Sequence, residues 1–360
     1  MPWLLNILRW PLLPLIIGYQ LGLWLRHKLY DWGVLPTFRL PRPVISVGNI
    51  QLGGTGKTPL VMALVEYLEN QGYRVGVLSR GYRRKGERSD VVLVAGEFRS
   101  GIDWKMVGDE PWLIFQRLRK GALGVGRHRY RVGMQLLQQQ DVDVFLLDDG
   151  LQHRQLFRDG EICLIDVSRW HPWPLLFPFT FLRDLPDALK RVDAVILTRW
   201  EGQEKAIERV GQWLAGHTPA PVFRGKIRPV AIRQWPSGKQ IDSEVFRAVP
   251  WLAFCGIANP NHFRKTLIAL GISPEEWFAY PDHHVYRQRD VNRMLEVSHS
   301  RGIRHWITTE KDLVRIQEYF TREILESVSI AVLEIRLEVD RFPEFVNWLE
   351  GILSRLPREV

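Results

Sequence analysis

The chain has 360 residues, 46% of them hydrophobic and 25% charged, which excludes wholesale disorder and suffices for two domains with a sizeable core. Lys and Arg number 49 against 40 Asp and Glu, for a net charge of +9, and such an excess points to an anionic partner: phosphate, nucleic acid or an anionic membrane. Cys163 and Cys255 are the only cysteines, so a disulfide scaffold and a zinc cluster are excluded and a reducing compartment fits.

The positive charge is concentrated early: residues 1–40 net +3, 74–90 net +4 and 113–131 net +6, while the remainder nets −4. Four of the fifteen Trp (Trp3, Trp10, Trp24 and Trp32) also fall at the start. Between Arg9 and Arg26 the run WPLLPLIIGYQLGLWL carries no charge. It is shorter than the ~20 residues of a spanning helix, holds Gln20, and is broken by Pro11 and Pro14. No small-residue cleavage site follows it. The pattern predicts a helix lying in a membrane interface, with Leu and Trp among the acyl chains and Arg9, Arg26 and Lys28 at the headgroups.

Pro43–Val47 reads as a buried strand and leads into GNIQLGGTGKTP (48–59). Gly53, Gly54, Thr55, Gly56, Lys57 and Thr58 have the chemistry of a phosphate-binding loop. Glycines turn backbone N–H groups toward phosphate, Lys57 reaches the terminal phosphates, and the Thr58 hydroxyl suits Mg²⁺. A helix from Pro59 aims its positive end at the same anion. Gln51 stands where the strict motif has its first Gly. A second strand, Arg74–Ser79, ends in RGYRRK (80–85), where Arg80 and Arg83 are either anion contacts at a sheet edge or a solvated loop.

Further along, VDVFLLDD (142–149) is an apolar strand ending in Asp148 and Asp149, the place where a phosphoryl-transfer enzyme keeps its Mg²⁺ carboxylate. Taken alone, GDEP (108–111) reads as a capped helix start. Asp282-His283-His284 suits a carboxylate orienting an imidazole better than it suits zinc.

In order, GNIQLGGTGKTP, SRGYRRKG, VGDEP, DDGLQHRQLFRD, GIANPNHF, PDHHVY and ITTEKDLV resemble the tetraacyldisaccharide 4′-kinase family, the lipid A kinases of Gram-negative bacteria. The resemblance implies ATP- and Mg²⁺-dependent phosphorylation of the 4′-hydroxyl of a tetraacylated glucosamine disaccharide 1-phosphate. It also implies a peripheral or monotopic protein on the cytoplasmic face of the inner membrane. By the same resemblance, Lys57 and Thr58 serve the phosphates and the metal, Asp109 is the general base, and His283 orients it. Asp148, Asp149, Glu110 and Gln152 then lie around the metal, and Arg80, Arg83 and Asp184 are candidate acceptor contacts. The family's GNGxLLPAGPLREP-like stretch is replaced here by residues 168–184, rich in Trp, Phe and Pro, of which Leu182-Arg183-Asp184 keeps a trace.

Alternating strands and helices predict an α/β fold: a P-loop NTPase-like doubly wound parallel sheet with a smaller second α/β domain. The expected bounds are a membrane-associating helix at 1–36, a kinase core at 37–217, a strand-rich linker at 218–250 and a C-terminal lobe at 251–360. In this reading Asp109 comes from one lobe and His283 from the other, closure assembles the site, and the protein is a monomer that binds no nucleic acid. The competing readings are a kinase for another glycolipid, a P-loop ATPase switch, and a nucleic-acid module, which lacks an evident stacking platform.

Overall fold

The computed structural model describes residues 10–81, 84, 89–96, 103–242, 244 and 248–354. The chain folds into two compact units. One comprises residues 1–100, 114–227 and 337–360, and the other residues 101–113 and 228–336.

Strands of the first unit are β1 (Val44–Asn49), β2 (Val75–Ser79), β3 (Val91–Val94), β4 (Ala122–Val125), β5 (Val144–Asp148), β6 (Gly160–Asp166), β7 (Ala194–Thr198) and the beginning of β8 (Val222–Trp235). Their order is β3-β4-β2-β5-β1-β6-β7-β8. All neighbours pair in parallel except β3 and β4. Strands such as VFLLD are apolar and buried throughout because a parallel sheet is covered on both faces. β1 lies between β5 and β6, and its register sets Val47 beside Asp148. The loop leaving β1 and the acids ending β5 therefore share one edge of the sheet, where ligands of such folds bind.

The helix Leu13–Asp31 joins this unit along one stripe. Leu13, Ile16, Gln20, Leu23 and His27 recur every three or four residues and face inward, while Leu15, Ile17, Tyr19, Leu21, Trp24 and Leu25 are exposed. Ile16 and Leu23 pack on the cluster holding Ile50, Leu176, Leu182 and Leu189. Polar bonds fix its C-terminal half. Arg154 donates to the His27 carbonyl at 3.0 Å and to Asp31 at 2.9 Å, and Arg26 donates to the Gln152 carbonyl at 3.1 Å. The interface stripe expected from sequence is thus apolar outward as well as inward, and among the described residues no helix is long and apolar enough to cross a membrane.

The second unit carries β9 (Trp251–Cys255), β10 (Glu276–Ala279), β11 (His305–Thr309) and most of β12 (Ser329–Val339) in the parallel order β10-β9-β11-β12. Two apolar clusters enclose its strands, one around Phe254, Trp306 and Ile330, the other around Trp251, Phe263 and Ile307.

The units are discontinuous in sequence, unlike the boundaries read at 217 and 250. β8, inside the expected linker, is one strand that leaves the first unit after Ile227. The chain returns after Arg336, and the helix Phe342–Leu353 belongs to the first unit. The packing explains this: Phe345 meets Phe223 edge-on at 5.4 Å, and Ile352 lies against Gly160. Residues 101–113 join the second unit, so Asp109 and His283 share one unit and are not supplied by two lobes as expected.

Asp184, expected as an acceptor contact, is fully buried. Its carboxylate takes His27 Nε2 at 3.1 Å, Gln152 Nε2 at 3.1 Å and its neighbour's backbone N–H at 2.8 Å, with Arg191 at 3.9 Å. Burial pushes its pKa up, but the bond from His27 and the nearby cations outweigh that and hold it below the usual carboxylate range. This residue fastens the N-terminal helix to the sheet. Asp184→Ala is expected to cost ~3–5 kcal/mol, because it leaves the buried donors of His27 and Gln152 and the Arg191 charge without their carboxylate. Urea unfolding measures the loss, and faster proteolytic cutting within residues 13–31 is expected alongside it.

Candidate active site

The phosphate loop is built from the end of β1. Gly53 has φ 99° and Gly56 φ 96°, a left-handed region that side chains other than Gly adopt at a cost. A Cβ on Gly53 would strike Arg169 Nη1 at 2.1 Å, one on Gly56 would press Leu337 at 3.3 Å, and one on Gly54 would meet only open space. The backbone at Gly54 is therefore open to a ligand. The helix Lys57–Asn70 begins at Lys57 itself, with Gly56 as its cap. Thr58 lies in its first turn. Asn49 braces the loop from inside, donating to the Gln51 carbonyl at 2.7 Å and to Thr55 Oγ1 at 2.9 Å.

Gln51, the departure from the strict motif, has a structural reason. Its buried side-chain amide accepts from the Asp166 N–H at 2.7 Å and donates to the Asp166 carbonyl at 3.1 Å. It thereby stitches the loop to the end of β6, and a Gly would leave both backbone groups to find other partners. The 168–184 segment folds back on the same loop. Leu52 N–H bonds Phe181 O at 2.7 Å, and Arg183 N–H bonds Ile50 O at 2.8 Å. Leu176 and Leu182 enter the core while Trp173, Phe177 and Phe181 stay exposed.

At the mouth of the loop the two adjacent acids diverge. Asp148 is buried and accepts from Ser79 Oγ at 2.9 Å. Asp149 follows the strand with φ 51°, a strained value for a residue with a side chain. Its carboxylate meets Lys57 Nζ at 3.4 Å and takes a two-pronged bond from Arg183, which also binds the Asn49 side chain. Burial pushes the Asp149 pKa up, but Lys57 and Arg183 drive it well below the usual range. Arg183 was read in the sequence only as a trace of a family motif. Arg129, which nothing in the sequence singled out, is buried and feels both acids; burial and Arg80 bring its pKa down to about 10.

Arg80 is exposed just beyond β2, and Arg83 lies outside the described residues. Gln152 spends its amide N–H groups on Asn49 O at 3.0 Å and on Asp184. The donors Thr58, Asp148 and Asp149 are all hard oxygens, and among the described residues no three His, Cys, Asp or Glu gather as a complete metal cage. Mg²⁺ fits such a site, since it is commonly held by one or two carboxylates with phosphates and water.

In the second unit, Gly108 (φ 100°) turns the chain into the helix Asp109–Arg117. Pro111, in the first turn, has no N–H to satisfy. Asp109 is buried, and its Oδ1 accepts the Glu110 N–H at 2.9 Å. Its Oδ2 faces His283 Nδ1 at 3.2 Å, Arg315 Nε at 3.7 Å and Lys311 Nζ at 3.9 Å. His283 has φ 58°, and its N–H is tied to the Gly256 carbonyl at 3.1 Å. The strained backbone sets the ring against Asp109. Glu110, expected near the metal, belongs to this unit, and its carboxylate is taken by Lys311 at 2.8 Å.

Burial raises the Asp109 pKa, but the His283 hydrogen bond and the Lys311 and Arg315 charges overcome it and bring the value down to about 2. A carboxylate with a lowered folded pKa stabilises the fold above its unfolded value and loses that contribution as pH falls through the folded one. For Asp109 the window is pH 4 down to 2, and the contribution is about 2 kcal/mol. Urea unfolding from pH 6 to pH 2 is expected to show wild type ahead of Asp109→Asn by that margin above about pH 4 and level with it near pH 2. A gap unchanged across the range would refute the ion-pair assignment.

A family model described as tetraacyldisaccharide-1-P 4′-kinase matches residues 8–354. The chain is 38% identical to the tetraacyldisaccharide 4′-kinase of Syntrophus aciditrophicus over 308 residues, 83% of this chain and 82% of that one. It is 32% identical to the Aquifex aeolicus protein of the same name, over 92% of this chain and 96% of the other. Among solved structures, the "apo" form of LpxK from Aquifex aeolicus in complex with ATP superposes with a TM-score of 0.78 at 30% identity, covering 96% of this chain and 99% of that chain.

Proposed function

The chain belongs to the tetraacyldisaccharide-1-P 4′-kinase family, and from that premise we propose how its own residues carry out ATP-dependent phosphorylation of a tetraacylated disaccharide 1-phosphate at its 4′-hydroxyl. The observation that carries the reading is Lys57, held 3.4 Å from Asp149 at the mouth of an open glycine loop. The loop N–H groups and Lys57 bind the β- and γ-phosphates of ATP. Thr58, Asp148 and Asp149 would hold Mg²⁺, which would neutralise phosphate charge when bound. Arg183 keeps Asp149 in place.

Asp109 accepts the proton of the 4′-hydroxyl. As that oxygen bonds to the γ-phosphorus, the bond from phosphorus to the bridging oxygen breaks, and ADP leaves with the electron pair. A base whose pKa is near 2 takes up a proton reluctantly, so its main service is to orient the hydroxyl and accept the proton late. Phosphoryl transfer through a loose transition state, which depends chiefly on positioning and charge, tolerates this. In detergent with radiolabelled ATP, Mg²⁺ and the disaccharide monophosphate, Asp109→Ala is expected to lose about 10²–10⁴ of turnover while still binding ATP. Lys57→Ala should weaken nucleotide binding as well. Full turnover by Asp109→Ala would overturn its role.

In the same reading the protein works on the cytoplasmic face of the inner membrane, with its N-terminal helix lying in the interface. Its outward residues Leu15 (70% exposed), Tyr19 (56%), Leu21 (61%) and Trp24 (43%) suit the acyl boundary, and Arg26 and Lys28 suit the headgroups. Exposed Trp173 and Phe177 extend the apolar surface; Gln20 bonds the Pro174 carbonyl at 3.0 Å, joining helix and segment. Co-sedimentation with anionic phospholipid vesicles is expected for the wild type and should fall sharply for the triple variant Leu15→Ser, Leu21→Ser, Trp24→Ser. Undiminished binding by the variant would sink the interface role.

A further inference from the structure

The ITTEKDLV segment resembles its family counterpart, yet the reaction as described leaves it without a task. The structure sets its Lys311 beside both Asp109 and His283. Lys311 Nζ lies 2.8 Å from Glu110 Oε1, 3.4 Å from His283 Nε2 and 3.9 Å from Asp109 Oδ2. Burial works against the Lys311 charge, but Glu110 and Asp109 more than compensate, so its pKa is raised. An ammonium has hydrogens to give and no lone pair to offer. Lys311 Nζ faces His283 Nε2 more closely than the Asp282 carboxylate does, at 3.4 Å against 4.0 Å, which favours a bare, accepting Nε2 and a ring proton on Nδ1, 3.2 Å from Asp109 Oδ2.

The helix Glu310–Ile316 is anchored so that this ammonium has little freedom. Its buried Asp312 accepts from the Gly256 N–H at 2.8 Å, Tyr286 Oη at 2.9 Å, Arg315 Nη2 at 2.7 Å and Thr309 Oγ1 at 2.6 Å. Gly256 is also the residue whose carbonyl holds the His283 N–H. One buried carboxylate thus positions the helix that carries Lys311 and the turn that carries His283.

We propose that Lys311 is a positioning residue that fixes His283 as the Nδ1–H tautomer and so aims the ring proton at Asp109. Asp109 Oδ2 is then held by an N–H donor from the imidazole, and the carboxylate is fixed in the rotamer that meets the acceptor hydroxyl. Without the ammonium, Nε2 is free to carry the proton, leaving Nδ1 as a lone pair pointed at a carboxylate. That arrangement is repulsive, and Asp109 turns away from it.

The inference rests on Asp109 as proton acceptor, but its primary test does not. In ¹⁵N-histidine-labelled protein, with the His283 signal assigned by its loss in His283→Gln, the wild-type ring is expected as Nδ1–H with an unprotonated Nε2. Lys311→Met is expected to lose that signature, and its kcat is expected to drop on the order of 10²-fold, as when a reacting group is misaligned, with KM for ATP unchanged. Lys311→Arg should restore the tautomer and part of the turnover. A wild-type proton on Nε2 overturns the proposal even if no variant folds, and so does an unchanged His283 spectrum in folded Lys311→Met. Failure of the broader reading is distinguishable: it appears as turnover by Asp109→Ala and leaves the imidazole spectrum as expected here.

Discussion

The bond between Lys57 and Asp149 is the hinge of the nucleotide half of the molecule. A carboxylate drawn into a protein must be given cations, and the ammonium of Lys57 must be given an anion. Here each meets the other's need, and Arg183 completes the set by spanning Asp149 and Asn49. Through Asn49 the same interaction reaches Thr55 and the Gln51 carbonyl, so the loop's shape and its charge balance are one device. The second unit uses the same logic with a different outcome. Asp109 is surrounded by His283, Lys311 and Arg315, and what is held there is a buried, ionised carboxylate.

The parts of the site that were legible in the sequence are those in which chemistry and local structure coincide. A buried strand, glycines and Lys57-Thr58 occupy consecutive positions, and the apolar strand ending in Asp148-Asp149 announces itself by composition. What escaped notice depends on contacts far apart in the chain. Gln51 looked like a lapse in a motif because its partner, the backbone of Asp166, is 115 positions away. Asp184 looked available to a ligand because nothing nearby in sequence predicts His27 as its partner. The assignment of Asp109 and His283 to separate lobes failed because residues 101–113 leave the unit on either side of them. Lys311 carried no chemical signature, as a lysine after a strand is commonplace until its neighbours are known.

Strain marks the same places. Among the described residues four non-glycine residues have positive φ, and two are Asp149 and His283. Such conformations cost on the order of 1–3 kcal/mol each and persist where surrounding contacts over-determine them. Asp149 is pinned by Lys57 and Arg183, and His283 by Gly256 and Asp109. The exposed apolar surface lies elsewhere, on the outward face of the N-terminal helix and in the aromatics of 168–184.

The packing of Leu337 behind Gly56 has a consequence for biogenesis. A ribosome delivers the chain in order, and domains tend to fold as their last strands and helices emerge. The phosphate loop precedes the second unit in the chain, yet Leu337, which joins Ile227 and Leu164 behind Gly56, and the helix Phe342–Leu353 that covers Phe223 and Gly160 follow it. The nucleotide pocket is therefore completed only after the entire second unit has been synthesised. A translation product interrupted before Leu337 has the loop sequence but only Ile227 and Leu164 behind Gly56, without the side chain that approaches it most closely.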